Sequence, residues 1–214
     1  MKNKEQRRGV VKIDIRATAR IGRALSDVED SDAAAAKSYR RYGPALSRAR
    51  LIGITGPPGA GKSTLVTALA RAFRRAGESV GILAIDPTSA LTGGTFLGDR
   101  IRMDDLARDP GVFIRSVASR GGIGGIAPRI PEMAAILSSN GFRRILVETV
   151  GVGQGEATVA HVADTVVAVF PPAAGDAIQA LMAELLDAAD IFVINKADLP
   201  GAEDARRSVE SALD

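Results

Sequence analysis

The amino-acid sequence predicts an α/β fold: a doubly wound, mostly parallel sheet with helices on both faces, preceded by an N-terminal helical arm. Three observations carry this. From residue 51 onward, short apolar runs alternate with helix-length stretches, the pattern of a parallel sheet covered by helices. Before residue 51, Ile13, Ala17, Ile21, Ala24, Leu25 and Val28 recur at three- and four-residue steps, which is helical periodicity. A glycine-rich loop stands between the first apolar run and the helix-length stretch after it.

The elements follow in chain order. Ala33–Ala36 favours a second helical piece in the arm, and Gly43-Pro44 breaks it. The arm thus spans residues 1–48 and the main domain residues 49–214. Leu51–Thr55 reads as a buried strand and 62–76 as a helix closed by Gly77. Val80–Ile85 is a second strand, ended by Asp86-Pro87, and 98–107 holds a short helix. Val112–Ile114 is a third strand, Pro131–Ser139 a helix and Arg144–Val150 a fourth strand. Asp164–Phe170 and Ile191–Asn195 complete the strands, and 175–188 and 203–213 read as helices.

Composition excludes several classes. With 46% hydrophobic and 25% charged residues the chain is neither disordered nor fibrous. It has no cysteine and one histidine, His161, so thiolate or histidine-rich metal cages are not expected. No apolar run approaches the length of a membrane span, and the basic start lacks the apolar stretch of a signal peptide. The expected location is the cytoplasm, with no membrane partner. Charge is uneven: residues 1–50 hold 13 Lys+Arg against 6 Asp+Glu, and residues 51–214 hold 15 against 19. The basic arm has only Tyr39 and Tyr42 as stacking aromatics, so it reads as a docked amphipathic helix with solvated arginines and not as a nucleic-acid footprint.

Gly56-Pro57-Pro58-Gly59-Ala60-Gly61-Lys62-Ser63, followed by Thr64, matches GxxxxGK[ST] between a strand and a helix. Glycines let successive N–H groups turn inward around phosphate oxygens, and the next helix offers its positive end to the same anion. Lys62 can reach the β- and γ-phosphates, and Ser63 can place its hydroxyl on Mg²⁺. The domain is therefore expected to be a P-loop NTPase.

Asn195-Lys196-Ala197-Asp198 matches NKxD after the sixth predicted strand. A carboxylate there accepts from the N1–H and 2-amino groups of guanine, a donor pair that adenine lacks. Asn195 would tie this loop to the phosphate loop, and Lys196 would lay its stem along the base. GTP or GDP is the expected nucleotide.

Between the two motifs, Asp86 closes the second strand and Glu148 stands in Glu148-Thr149-Val150-Gly151, which is similar to a DxxG motif with Glu for Asp. Carboxylates at these strand ends can bind Mg²⁺ directly or through water. The Gly151 N–H can touch a γ-phosphate, and Gln154 either orients the attacking water or bonds within its loop. Thr92–Thr95 and Arg120–Gly125 are glycine-rich loops suited to nucleotide-dependent ordering or to turn geometry alone.

Asp86-Pro87-Thr88-Ser89, Thr92-Gly93-Gly94, Leu97-Gly98-Asp99, Arg102-Met103, Ser119-Arg120-Gly121 and Val147–Gln154 together resemble the methylmalonyl-CoA mutase-associated GTPases of the MeaB/ArgK type. Ala19-Arg20-Ile21 and Val28-Glu29 in the arm are similar as well. The resemblance implies a metallochaperone-type GTPase of low intrinsic activity. It would bind a cobalamin-dependent acyl-CoA mutase, gate adenosylcobalamin loading and protect the mutase. It also implies that Lys62, Ser63, Asp86, Asp99 and Glu148 surround Mg²⁺ and phosphate. Two departures stand out. Where the family carries a lysine in a third switch, this chain has Met182, with Glu184 for a glycine; the expected consequence is weaker stimulation by the mutase, restored by Met182→Lys. The family's guanine-contacting Ser-Ala loop and C-terminal dimerisation segment do not fall within these 214 residues, so its homodimer is not expected of them alone.

Three rival classes remain at this point. A P-loop kinase would need no NKxD. A nickel-insertion GTPase would need the His or Cys clusters that are lacking. A nucleotide-binding module without turnover would keep the motifs and lose only hydrolysis.

Overall fold

The computed structural model describes residues 15–86, 104–118, 129–151, 156–172 and 182–213. Among the described residues, six parallel strands form one sheet: β1 (Arg50–Thr55), β2 (Val80–Asp86), β3 (Val112–Ala118), β4 (Arg144–Glu148), β5 (Thr165–Phe170) and β6 (Ile191–Ile194), in the order β3-β2-β4-β1-β5-β6. Parallel strands need crossovers. The described helices are α1 (Ile15–Asp30), α2 (Asp32–Tyr42), α3 (Lys62–Arg75), α4 (Asp104–Ala107), α5 (Ile130–Ser139) and α6 (Ala202–Leu213).

Successive residues of a strand point to opposite faces, and the core divides accordingly. Leu83, Ile85, Ile145 and Val147 pack with Ile21, Leu25 and Val28 of α1 and Ile130, Met133 and Leu137 of α5. Ile82, Leu146, Val167 and Val169 pack on the other face with Val66 and Ala70 of α3. Both faces are covered, as the sequence predicts. The arm is continuous with the first of these clusters. α1 presents Ile21, Leu25 and Val28 at helical spacing, and Ser31 caps α2 by accepting from Ala34 N at 3.3 Å. A six-residue 3₁₀ turn, Gly43–Arg48, then leads into β1.

α2 runs to Tyr42 and stops at Gly43, where the sequence expects the break. Two strands differ from the sequence expectation. β4 ends at Glu148, two residues before Val150. β3 continues to Ala118, four residues past Ile114, because the polar Arg115 that interrupts its apolar pattern is neutralised inside the fold. Arg115 Nη2 donates to Glu29 Oε2 of α1 at 2.8 Å.

At the N-terminal end of the strands, Arg74 of α3 clasps Asp109 through Nε and Nη2 at 3.0 and 2.9 Å, and its Nη1 donates to Glu78 O at 2.8 Å. The Arg74 hydrogen bonds hold the Asp109 carboxyl below the usual aspartate range. No described helix is long and apolar enough to cross a membrane.

Candidate functional site

The loop between β1 and α3 sits at the C-terminal edge of the sheet, flanked by β4 and β5. Ligands of open α/β sheets bind at this edge. Gly56 leaves β1 with φ 136°, and a Cβ on it would lie 2.1 Å from Val169 O of β5. Pro57 and Ala60 are buried, while Pro58 and Gly59 are exposed. Gly61 turns into α3 with φ 95°.

Lys62 begins α3 and is 6% exposed. Its Nζ donates to Gly56 O at 2.7 Å and to Pro57 O at 3.1 Å, so the ammonium lies over the loop. Ser63 Oγ donates to Glu148 Oε1 at 2.6 Å. Glu148 ends β4 in register with Ile54 and is itself 6% exposed. Thr64, next along α3, is exposed.

After β4 the chain bends back over the lysine. Gly151 has φ 82°, and a Cβ there would lie 2.2 Å from Lys62 Nζ and 2.7 Å from Gly56 O. Only glycine permits this approach. Thr149 N donates to Ile54 O at 3.0 Å, and Thr149 Oγ1 donates to Thr55 Oγ1 at 3.4 Å. These two buried threonines fasten the ends of β1 and β4 beneath the site. Sequence reasoning passed over them; the available signal was a threonine closing each of two apolar runs beside a motif.

The segment after β6 joins the same edge. Asn195 N donates to Phe170 O at 2.8 Å, and Asn195 Nδ2 donates to Ala60 O at 2.8 Å. A Cβ at Gly61 would lie 2.2 Å from that Nδ2, so the two loops meet across a glycine. Lys196 adopts a left-handed backbone, φ 57°, and Leu199 N closes the turn onto Lys196 O. Lys196 and Asp198 are both exposed.

The structure therefore brings together Gly56–Ser63, Glu148, Gly151 and Asn195, with Lys196 and Asp198 on the adjoining turn. Asp86 ends β2 with its backbone in register with Ala118; its side chain is not described. Asp99 and Gln154 lie outside the described residues, as do Thr92–Thr95 and Arg120–Gly125. A hydroxyl and a carboxylate oxygen in contact are hard donors that fit Mg²⁺. An ammonium and a helix N-terminus beside them suit a polyphosphate.

One expectation is corrected. Met182, which the resemblance sets in the place of a switch lysine, is 5% exposed and packs with Ala168, Phe170, Leu185 and Val209. It is a core residue among those described, and packing accounts for an apolar side chain there. Glu184 beside it is exposed.

Comparison with known proteins gives this geometry a context. Residues 21–214 match the family model described as methylmalonyl-CoA mutase-associated GTPase MeaB. A protein of Pyrococcus abyssi is 49% identical over 201 residues, covering 94% of this chain and 61% of that protein. GTPase ArgK of Escherichia coli is 42% identical over 165 residues, covering 76% of this chain and 50% of its own length. The chain thus spans about half to three fifths of these relatives. Among solved structures, an LAO/AO transport system kinase superposes with a TM-score of 0.62 at 27% identity, covering 95% of this chain and 65% of that one. The hydrogenase maturation factor HypB of Archaeoglobus fulgidus shares the fold, with a TM-score of 0.56 at 17% identity over 91% of this chain and 84% of that one. On the family match and these identities, the chain belongs to the methylmalonyl-CoA mutase-associated GTPase family, MeaB.

Proposed function

We propose that this chain binds GTP and GDP with Mg²⁺, hydrolyses GTP slowly, and uses the two states to gate adenosylcobalamin loading into a cytoplasmic cobalamin-dependent acyl-CoA mutase and to protect that mutase. The observation that carries the chemistry is the 2.6 Å contact of Ser63 with Glu148 beside the Lys62 ammonium. Family membership supports the partner: methylmalonyl-CoA mutase is the one that the family's description names.

In this reading the N–H groups of residues 56–63 wrap the phosphates, and Lys62 meets the β/γ oxygens. Ser63 and Glu148, with Asp86 and Asp99, would hold Mg²⁺, which when bound neutralises charge on the transferring phosphoryl group. Gly151 N–H would donate to the γ-phosphate and Gln154 would orient the attacking water. Asn195 holds the base loop to the phosphate loop, and Asp198 would accept from guanine. Neither nucleic acid nor a membrane enters this reading.

Asp198→Asn should weaken GDP and GTP binding by about 2–4 kcal/mol, the loss for a charged hydrogen-bond pair broken on one side. Titration calorimetry reads it, and equal affinity of the unmodified chain for ATP and GTP would remove the base-site assignment. Turnover tests the rest. GTP hydrolysis should be slow alone and faster with a cobalamin-dependent acyl-CoA mutase, since a partner that prefers one nucleotide state must shift nucleotide affinity by the same factor. Tight GTP binding without single-turnover hydrolysis would instead favour a non-catalytic module.

A further inference from the structure

The junction of α1 and α2 reaches the nucleotide edge of the sheet. Glu29, one residue before the end of α1, is 11% exposed at its side chain. Its Oε2 accepts from Arg115 Nη2 at 2.8 Å, and Arg115 Nη2 also donates to Ser26 Oγ at 3.1 Å. Its other oxygen, Oε1, accepts from Ala118 N at 3.3 Å. Ala118 is the last residue of β3 and stands in register with Asp86, the last residue of β2. Asp32, at the start of α2, forms an ion pair with Arg129. Arg129 adopts a left-handed backbone, φ 91°, immediately before α5. A non-glycine residue stays in that region only when its surroundings hold it there.

Two acidic residues of one junction therefore hold the end of β3 and the start of α5. The connection between those two points contains the glycine-rich Arg120–Gly125. The grip on β3 is expensive to lose. Removing Glu29 would strand the part-buried Arg115 guanidinium and release the Ala118 N–H.

We propose that Glu29 is a positioning residue for nucleotide binding: it fixes the β3 end against the β2 end that carries Asp86, and so sets the preference for triphosphate over diphosphate. The inference rests on the nucleotide reading above and adds to it that the arm is part of the nucleotide machinery and not only a cover for the sheet. Glu29 acts here through its contacts with Arg115 and Ala118 N. Its effect passes through backbone that must be placed to within about an ångström, and misplacements of that size far from the chemistry can cost about a hundredfold.

The test compares Glu29→Ala with Arg74→Ala in the whole 214-residue chain. Arg74→Ala breaks a comparable ion pair at the opposite end of the strands and serves as the purely structural control. Affinities for a fluorescent, non-hydrolysable GTP analogue and for fluorescent GDP are measured with Mg²⁺, together with melting temperatures. Glu29→Ala should weaken the triphosphate about fivefold or more and leave the diphosphate within about twofold. Arg74→Ala should lower the melting temperature and leave the ratio unchanged. Glu29→Gln keeps the side-chain volume and one acceptor oxygen; it should move the ratio the same way by less, and it carries the test if the alanine variant does not fold. A ratio unchanged in the Glu29 variants, or changed equally by Arg74→Ala, overturns the inference while leaving the nucleotide reading in place. An unmodified chain that binds neither nucleotide overturns both.

Discussion

Lys62→Ala should reduce GTP turnover by at least about a hundredfold and weaken GTP binding more than GDP binding. Removing a charge aimed at developing phosphate charge has effects of this size. The difference between nucleotides follows from position, because the lysine meets the β/γ oxygens, where the extra charge of the triphosphate lies. Lys62→Arg should fail almost as badly. The ammonium is enclosed by Gly56 O, Pro57 O and the backbone of Gly151, close enough that even a methyl on Gly151 would sit 2.2 Å from Nζ. A planar guanidinium has no room there, although it conserves the charge. Single-turnover hydrolysis with paired GTP and GDP titrations reads both variants. Wild-type turnover in Lys62→Ala would show that this loop is not where hydrolysis occurs. Full activity in Lys62→Arg would show that the enclosure around Nζ yields.

The parts of this fold that were legible in the sequence are those governed by local chemistry. β1, the loop and α3 are readable because glycines, a lysine and an apolar run occur in an order with one physical use. α1 is readable because Ile21, Leu25 and Val28 fall on one face and that face is buried. The strand order was not legible. β4 lies between β1 and β2, although the whole of β3 and α5 separates it from β2 in the chain. Which strands become neighbours is set by crossovers and mutual burial, not by any local run. β3 was cut short for a similar reason: Arg115 looks like a strand end until its partner Glu29 is found 86 positions earlier. In the site, Lys62, Ser63 and Asn195 were legible by motif. Thr55, Thr149 and the closeness of Gly151 to Lys62 became visible only when β1 and β4 were set side by side.

Met182→Lys should destabilise the protein and leave mutase stimulation no higher than before. A reading by motif alone expects the opposite, since it sees a missing cation. The structure puts Met182 in a helical turn whose Leu185, three residues on, faces the same way. Both side chains pack against Phe170 of β5 and Val209 of α6, and Phe170 in turn stacks on Phe192 at 6.3 Å. The described groups that an ammonium would be placed among are apolar. The cost of an uncompensated buried charge is about 3–5 kcal/mol. For a chain of this size that lowers the melting temperature by roughly 10 °C. The lysine relieves part of the penalty by losing its proton, which depresses its folded pKa. The unfolded chain then binds more protons than the folded one between the two pKa values, so stability rises with pH across that window. The deficit of Met182→Lys should therefore be full at neutral pH and shrink towards the ordinary lysine range near about 10. Met182→Leu, which conserves volume, should cost less than about 1.5 kcal/mol at every pH. Thermal melts of the three proteins between neutral and alkaline pH, with GTP turnover at neutral pH in the presence of the mutase, decide the matter. A lysine variant that melts like the parent and responds more strongly to the mutase would place residue 182 at a contact surface and not in the core.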